Sequence, residues 1–180
     1  MRLFIGIELP VDLKRNILDF QSELKNMGVR GAWKPPDNLH ITLEFLGEIL
    51  PDRIMVLREV MQKAVSNCGP FRLRIGGLGA FSSWKRPHTL WTAVSGDFSD
   101  LQRLQIILHN GLKQEGFSLE ERLFKPHITL ASRPEWGEKD FSLLKNKVLG
   151  EWQVRELILF ESKAVRGKRE YLDLIRTEFY

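Results

Sequence analysis

The sequence predicts a mixed α/β chain folded as two similar lobes about a shared cleft. Three observations carry that prediction. The tetrapeptide His40-Ile41-Thr42-Leu43 returns unchanged as His127-Ile128-Thr129-Leu130. Apolar patterning gives both halves of the chain one order, strand–helix–strand–helix–strand. The spacing matches as well: Phe4 precedes His40 by 36 residues, and Leu90 precedes His127 by 37. A cleft between two such lobes is a favoured place for a ligand.

Residues 3–9 read as a buried strand stopped by Pro10. Leu13, Ile17, Leu18, Phe20 and Leu24 recur at helical spacing across 11–27, ahead of Gly28. The turn-rich stretch from Gly31 to Asn38 leads into a strand over Leu39 to Leu46. Pro51 and Asp52 open a helix with apolar positions at Ile54, Val56, Leu57, Val60, Met61 and Ala64. Residues 71–78 alternate arginine with apolar side chains, as a strand does. After a loop from Phe81 to Pro87 the order restarts: strand 88–94, helix 98–115, strand His127 to Ala131, short helix 138–147, and strand 153–165. A last strand over 170–179 follows the turn Arg166-Gly167-Lys168-Arg169.

A chain of 180 residues suits one domain. The expected lobes are residues 1–80 and 81–180, closely joined because no low-complexity linker intervenes, with exchange of terminal strands allowed. The single Cys68 excludes an internal disulfide framework. Lys and Arg total 27 against 23 Asp and Glu, and the whole surplus of four sits in residues 1–90, with 13 basic and 9 acidic side chains. That is too little to coat a polyanion, whose affinity scales with the phosphates neutralised. A site for one or a few phosphates remains open. The apolar run at the N-terminus is broken by Glu8 and Pro10, too short for a secretory signal, and no run approaches a membrane span. The expectation is a soluble, cytoplasmic monomer without a membrane contact.

The repeated tetrapeptide carries the chemistry. In a strand its His and Thr point one way and its Ile and Leu the other, so the apolar pair buries while the polar pair faces the cleft. Two such units would gather two imidazoles and two hydroxyls around one group. Phosphodiester cleavage uses that inventory. A neutral imidazole takes a proton from the attacking oxygen, a protonated one gives a proton to the leaving oxygen, and hydroxyls bond the phosphate. One His-x-Thr in a strand is ordinarily structural, but two of the chain's four histidines lie in identical tetrapeptides at matched places. A metal site built on His40, Thr42 and Glu44 is not repeated, since Ser132 stands where a second carboxylate would. No metal and no cofactor is therefore expected, and Glu44 reads as a surface or ion-pair residue.

The paired His-x-Thr-Leu motifs resemble those of the 2H phosphoesterase superfamily, nearest its RNA 2′,3′-cyclic phosphodiesterases, also called 2′-5′ RNA ligases. The resemblance runs through Arg2-Leu3-Phe4-Ile5, Asn38 to Gly47, Gly77-Leu78-Gly79-Ala80-Phe81, Pro126 to Leu130, Glu161-Ser162 and Tyr171. It implies an α+β bilobal fold of two pseudo-symmetric sheet-plus-helix lobes around a central cleft. It also implies metal-independent opening of RNA 2′,3′-cyclic phosphates to 2′-phosphomonoesters, with 2′-5′ joining in some members. RNA with such an end, tRNA fragments and small cyclic nucleotides are the implied substrates. Carried over, His40 is the expected proton donor and His127 the proton acceptor, with Thr42 and Thr129 binding phosphate. Many relatives place Arg two residues after the second Thr-Leu pair. Here that place holds Ser132, and Arg133, one step later, would face away in a regular strand.

Arg133 and Trp84, the latter in the basic loop Trp84-Lys85-Arg86, are the remaining substrate-binding candidates. Trp33 and Trp91 read as packing residues, His88 and His109 as structural, and Gly76-Gly77-x-Gly79 as a turn or bulge rather than a phosphate loop. The alternative to an enzyme is a module that binds nucleotides or RNA ends without turnover, for which a second intact histidine has no use.

Overall fold

The computed structural model describes residues 1–180. Three helices and nine strands follow in chain order: β1 (Arg2–Glu8), α1 (Val11–Asn26), β2 (Arg30–Trp33), β3 (His40–Glu48), α2 (Ile54–Ser66), β4 (Phe71–Ser82), β5 (Pro87–Gly96), α3 (Phe98–Gln114), β6 (His127–Glu135), β7 (Val148–Val154), β8 (Glu156–Val165) and β9 (Lys168–Glu178). Leu13, Ile17, Phe20 and Leu24 are the buried stripe of α1, which ends where Gly28 takes a φ of +89°.

The strands form two antiparallel sheets, ordered β3-β1-β8-β9 and β2-β6-β5-β4-β7. Neither belongs to one half of the chain. β4, from the first half, pairs with β5, while β8 and β9, from the second, extend the sheet of β1. The sheets therefore interleave, and a cut near residue 80 does not separate them. In each sheet the His-bearing strand lies beside the first strand of its half, β3 on β1 and β6 on β5. β3 and β6 approach each other across the gap between the sheets. α1 lies on β7, with Asn16 donating to the Leu149 carbonyl at 2.8 Å, while α2 packs on α3. One apolar core of 40 buried residues runs through both sheets and all three helices.

Three local expectations are corrected. Residues 138–147 hold a single 3₁₀ turn at Ser142–Leu144 in place of a helix. The Asp140 carboxylate accepts from the Ser142 amide at 2.8 Å and its hydroxyl at 3.0 Å, a local bond that competes with helix propagation. The strand expected over 153–165 breaks at Arg155, because β7 and β8 belong to different sheets. The stretch expected as loop after Gly31 begins inside β2, a short, largely exposed edge strand on β6 whose sequence shows no alternation to read. The Gly76-Gly77-x-Gly79 segment is the bulge expected of it: the β4–β5 register shifts there and Gly77 adopts a φ of +73°.

Gly6 shows how tightly β3 is seated. A Cβ at this position would lie 2.6 Å from the Ile41 carbonyl oxygen, within the motif itself. Gly6→Ala is expected to push β1 from β3 at a cost of about 1–3 kcal/mol, read as a lower denaturant midpoint.

Candidate active site

The two motifs adopt one conformation. Along β3 and β6 the first four residues alternate half-buried and buried, so His and Thr face the gap while Ile41, Leu43, Ile128 and Leu130 enter the core. Both imidazoles are anchored alike. Nδ1 of His40 lies 2.9 Å from the Asn38 carbonyl and Nδ1 of His127 lies 2.7 Å from the Lys125 carbonyl, each two residues upstream. A carbonyl only accepts, so each Nδ1 carries the proton and each Nε2 presents its lone pair.

The two Nε2 atoms differ in surroundings. That of His127 has no side-chain partner, whereas that of His40 accepts from the Thr42 hydroxyl at 3.1 Å. The His40 ring sits against an aromatic patch on the gap face of the first sheet, 4.8 Å from the Phe4 ring, with Tyr171 edge-on at 5.0 Å and Phe160 at 6.0 Å. Phe4, Ile158 and Phe160 form their own small cluster there, apart from the main core. The His127 ring meets Phe81 edge-on at 4.7 Å and lies 6.1 Å from Trp91, whose indole occupies space that a Cβ on Gly79 would fill.

These surroundings depress both basicities. Burial, chiefly, and the nearby charges of His127, Lys34 and Lys14 bring His40 down to about 4, against the opposing bond to Asn38. Burial also lowers His127, helped by Arg122 and Lys125. Neither ring is charged in the empty site near neutral pH.

A cavity of about 610 Å³ opens between the sheets, lined among others by Thr42, Glu44, Phe81, Arg122, His127 and Thr129. Thr42 lines it, and its hydroxyl joins the wall to the half-buried His40 ring at 3.1 Å. Glu44 departs from a surface reading. It is 6% exposed, accepts from Gln105 at 2.6 Å and pairs with His109 at 3.0 Å, while burial raises its carboxyl above the usual range. Its ion pair is legible as an option in the sequence, but its burial and the packing role of His109 depend on α3 lying against β3. His88 also lines the cavity, a placement that no local pattern signals. No three His, Cys, Asp or Glu side chains gather where a metal ion could be held.

Arg133 and Trp84 lie elsewhere. Arg133 has a φ of +49°, so the strand does turn there, but it shares a second groove with Trp84, Lys85 and Arg86 rather than the wall beside His127. His88 lines both spaces. The Trp84 ring, 40% exposed, packs on Trp136 and Phe141 at 5.4 and 5.8 Å.

An interleaved α+β chain that presents one His-Thr pair from each of two sheets has the architecture of the two-histidine phosphoesterases. Comparison with known proteins agrees. The profile of the LigT-like phosphoesterase family matches residues 7–91 and 95–169. The RNA 2′,3′-cyclic phosphodiesterase of Thermotoga maritima is 30% identical over 146 residues, 81% of this chain and 77% of that protein. That of Geobacillus stearothermophilus is 32% identical over 138 residues, 77% of this chain, and the match spans only 43% of that longer protein. The crystal structure of TT0787 of Thermus thermophilus superposes with a TM-score of 0.84 over 99% of this chain and 98% of that one, at 26% identity. The chain belongs to the LigT-like phosphoesterase family. No helix is long and apolar enough to cross a membrane.

Proposed function

We propose that the cavity opens a 2′,3′-cyclic phosphate at the end of an RNA strand, leaving a 2′-phosphomonoester and a free 3′-hydroxyl. One observation carries this reading: two imidazoles held by the same Nδ1 anchor, each two residues before a threonine on the same face of its strand, on strands that approach across one gap. The names of the relatives from Thermotoga maritima and Geobacillus stearothermophilus point to the same substrate.

The unpartnered Nε2 of His127 is the proton acceptor. It takes a proton from water as the water oxygen bonds to phosphorus, in line with the departing O3′. The P–O3′ bond breaks, and O3′ takes the proton carried by Nε2 of His40. A neutral His40 must first be charged, and the phosphate anion supplies the reason, because a nearby negative charge offsets the burial that depresses this ring. The Thr42 hydroxyl then turns from His40 to a non-bridging oxygen, and Thr129 bonds the phosphate from the other strand. A 5′-hydroxyl of a second RNA in place of water would form a 2′-5′ bond by the same transfers. One copy of the chain supplies both pairs, so no second subunit enters the step.

The deciding experiment incubates the pure protein with a cyclic-phosphate-ended oligonucleotide in EDTA and identifies the product isomer. A 2′-phosphate formed at an undiminished rate is expected. A 3′-phosphate, or activity restored only by a divalent ion, would overturn the reading.

A further inference from the structure

A cyclic phosphodiester carries one negative charge, and attack by water puts more on its non-bridging oxygens. The motif side chains offer no fixed positive charge to meet it. Both imidazoles are neutral in the empty site near neutral pH, and the threonine hydroxyls carry no charge. Charge that develops at a reacting centre is best stabilised by a counter-charge already in place. Two side chains of the cavity wall carry one, Arg122 and Lys125, and both come from the segment between α3 and β6.

These two cations are not equivalent. Nε of Arg122 is 2.8 Å from Glu120, and its side chain is 65% exposed. It also lines a neighbouring cavity of about 490 Å³, together with Arg2 and Arg169. Lys125 has no carboxylate partner. Its ammonium lies 5.0 Å from the centre of the Trp91 ring and 5.4 Å from that of Phe81. Those are the two rings that meet His127. Trp91 is also the cross-strand partner of Thr129, and directly opposed residues of an antiparallel pair present their side chains on one face. The ammonium is thus held on the gap face of the second sheet, beside the histidine and the threonine of the motif. Two ring faces attract it without neutralising it, as a carboxylate would. The Lys125 carbonyl meanwhile holds Nδ1 of His127, so backbone and side chain of one residue serve the same motif.

We propose that Lys125 is a further catalytic residue, its ammonium donating to a non-bridging oxygen of the cyclic phosphate, with Phe81 and Trp91 as its positioning residues. This assignment rests on the cyclic-phosphate reading above. As His127 takes the proton of water, the ring gains a positive charge and the phosphoryl oxygens a negative one. Lys125 opposes the first change, which is why it lowers the basicity of His127. In contact with a phosphoryl oxygen it is nearer the second, so the transfer is favoured net.

The test compares the steady-state kinetics of the wild type, Lys125→Met and Lys125→Arg on an RNA ending in a 2′,3′-cyclic phosphate. Methionine keeps an unbranched chain against the two rings and removes the charge, whereas arginine keeps both the charge and the ring contact. Lys125→Met is expected to lower kcat by roughly 10²- to 10³-fold, the range for loss of one donor to a developing oxyanion. Lys125→Arg should stay within about tenfold of the wild type, because the cation remains over the rings. Lys85→Met, an equal loss of charge in the groove of Trp84, should leave kcat and KM unchanged. An unchanged kcat in Lys125→Met, a loss confined to KM, equal losses in the methionine and arginine variants, or the same loss in Lys85→Met would each overturn the proposal. If the wild type cleaves no cyclic phosphate, the catalytic reading of the cavity fails on its own. Titration with inorganic phosphate, followed by phosphorus NMR, then decides the anion site by itself. Binding weakened by about tenfold or more in Lys125→Met supports it, and equal binding refutes it.

Discussion

Replacing His127 with alanine is expected to lower kcat on a cyclic-phosphate-ended RNA by roughly 10²- to 10⁴-fold, the range for removal of a general base. The ring is half-buried and rests on the edge of Phe81, so its loss takes little from the core and the thermal melt should barely move. His40→Ala should cost a similar factor by removing the general acid. The two variants part company on a substrate with a better leaving group. A nitrophenyl phosphodiester departs without a proton, so His40→Ala should recover most of its rate there while His127→Ala stays slow. Recovery by the His127 variant instead would reverse the two roles, and full activity of both variants on the RNA would remove the histidines from the mechanism.

The dependence on pH should be equally large. The free enzyme is active only when His40 is protonated and His127 is not. His40 stands at about 4 and His127 below its ordinary value, so near neutral pH both are neutral and the active form is scarce. Each further pH unit removes about tenfold of the protonated His40, and kcat/KM, which reports the free enzyme, should fall by about that factor per unit from about pH 6.5 upward. The sign follows from the donor being the more acidic of the two groups. Its protonated fraction shrinks at every pH above about 4, and once His127 is fully neutral nothing offsets that loss, so the rate falls as pH rises. kcat should decline at a higher pH, because the bound phosphate anion raises His40 in the complex. Steady-state profiles from about pH 5 to 9 read this decline, and a kcat/KM that stays level over the upper part of that range would refute this account.

The contrast between what patterning shows and what it hides is sharpest along β3. His40 and Thr42 are placed on one face by alternation alone, since a strand's side-chain period is set by its own backbone. Glu44 shares that face, yet whether it meets water or α3 depends on an element 61 residues away, where Gln105 bonds it. The imidazole anchors lie between these cases. The carbonyls are those of Asn38 and Lys125, only two residues upstream, but their reach to Nδ1 depends on how the chain enters each strand. Arg133 shows the cost of reading a strand as regular. Its positive φ re-aims it, but toward Trp84 and away from the wall beside His127.

By itself the sequence determined the two helices that precede and follow β3, the strand character of both motifs, their shared polar face and the chemistry they can perform. All of these rest on periodicity over a few residues or on side-chain type. Only the tertiary structure decided that β8 and β9 join β1 while β4 joins β5, that residues 138–147 are no helix, and that Arg2, Arg122 and Arg169 border one groove beside the cleft. Strand partners and cavity walls are chosen by contacts between residues far apart in the chain, where burial of a common core outweighs local preference and leaves no mark on the local pattern.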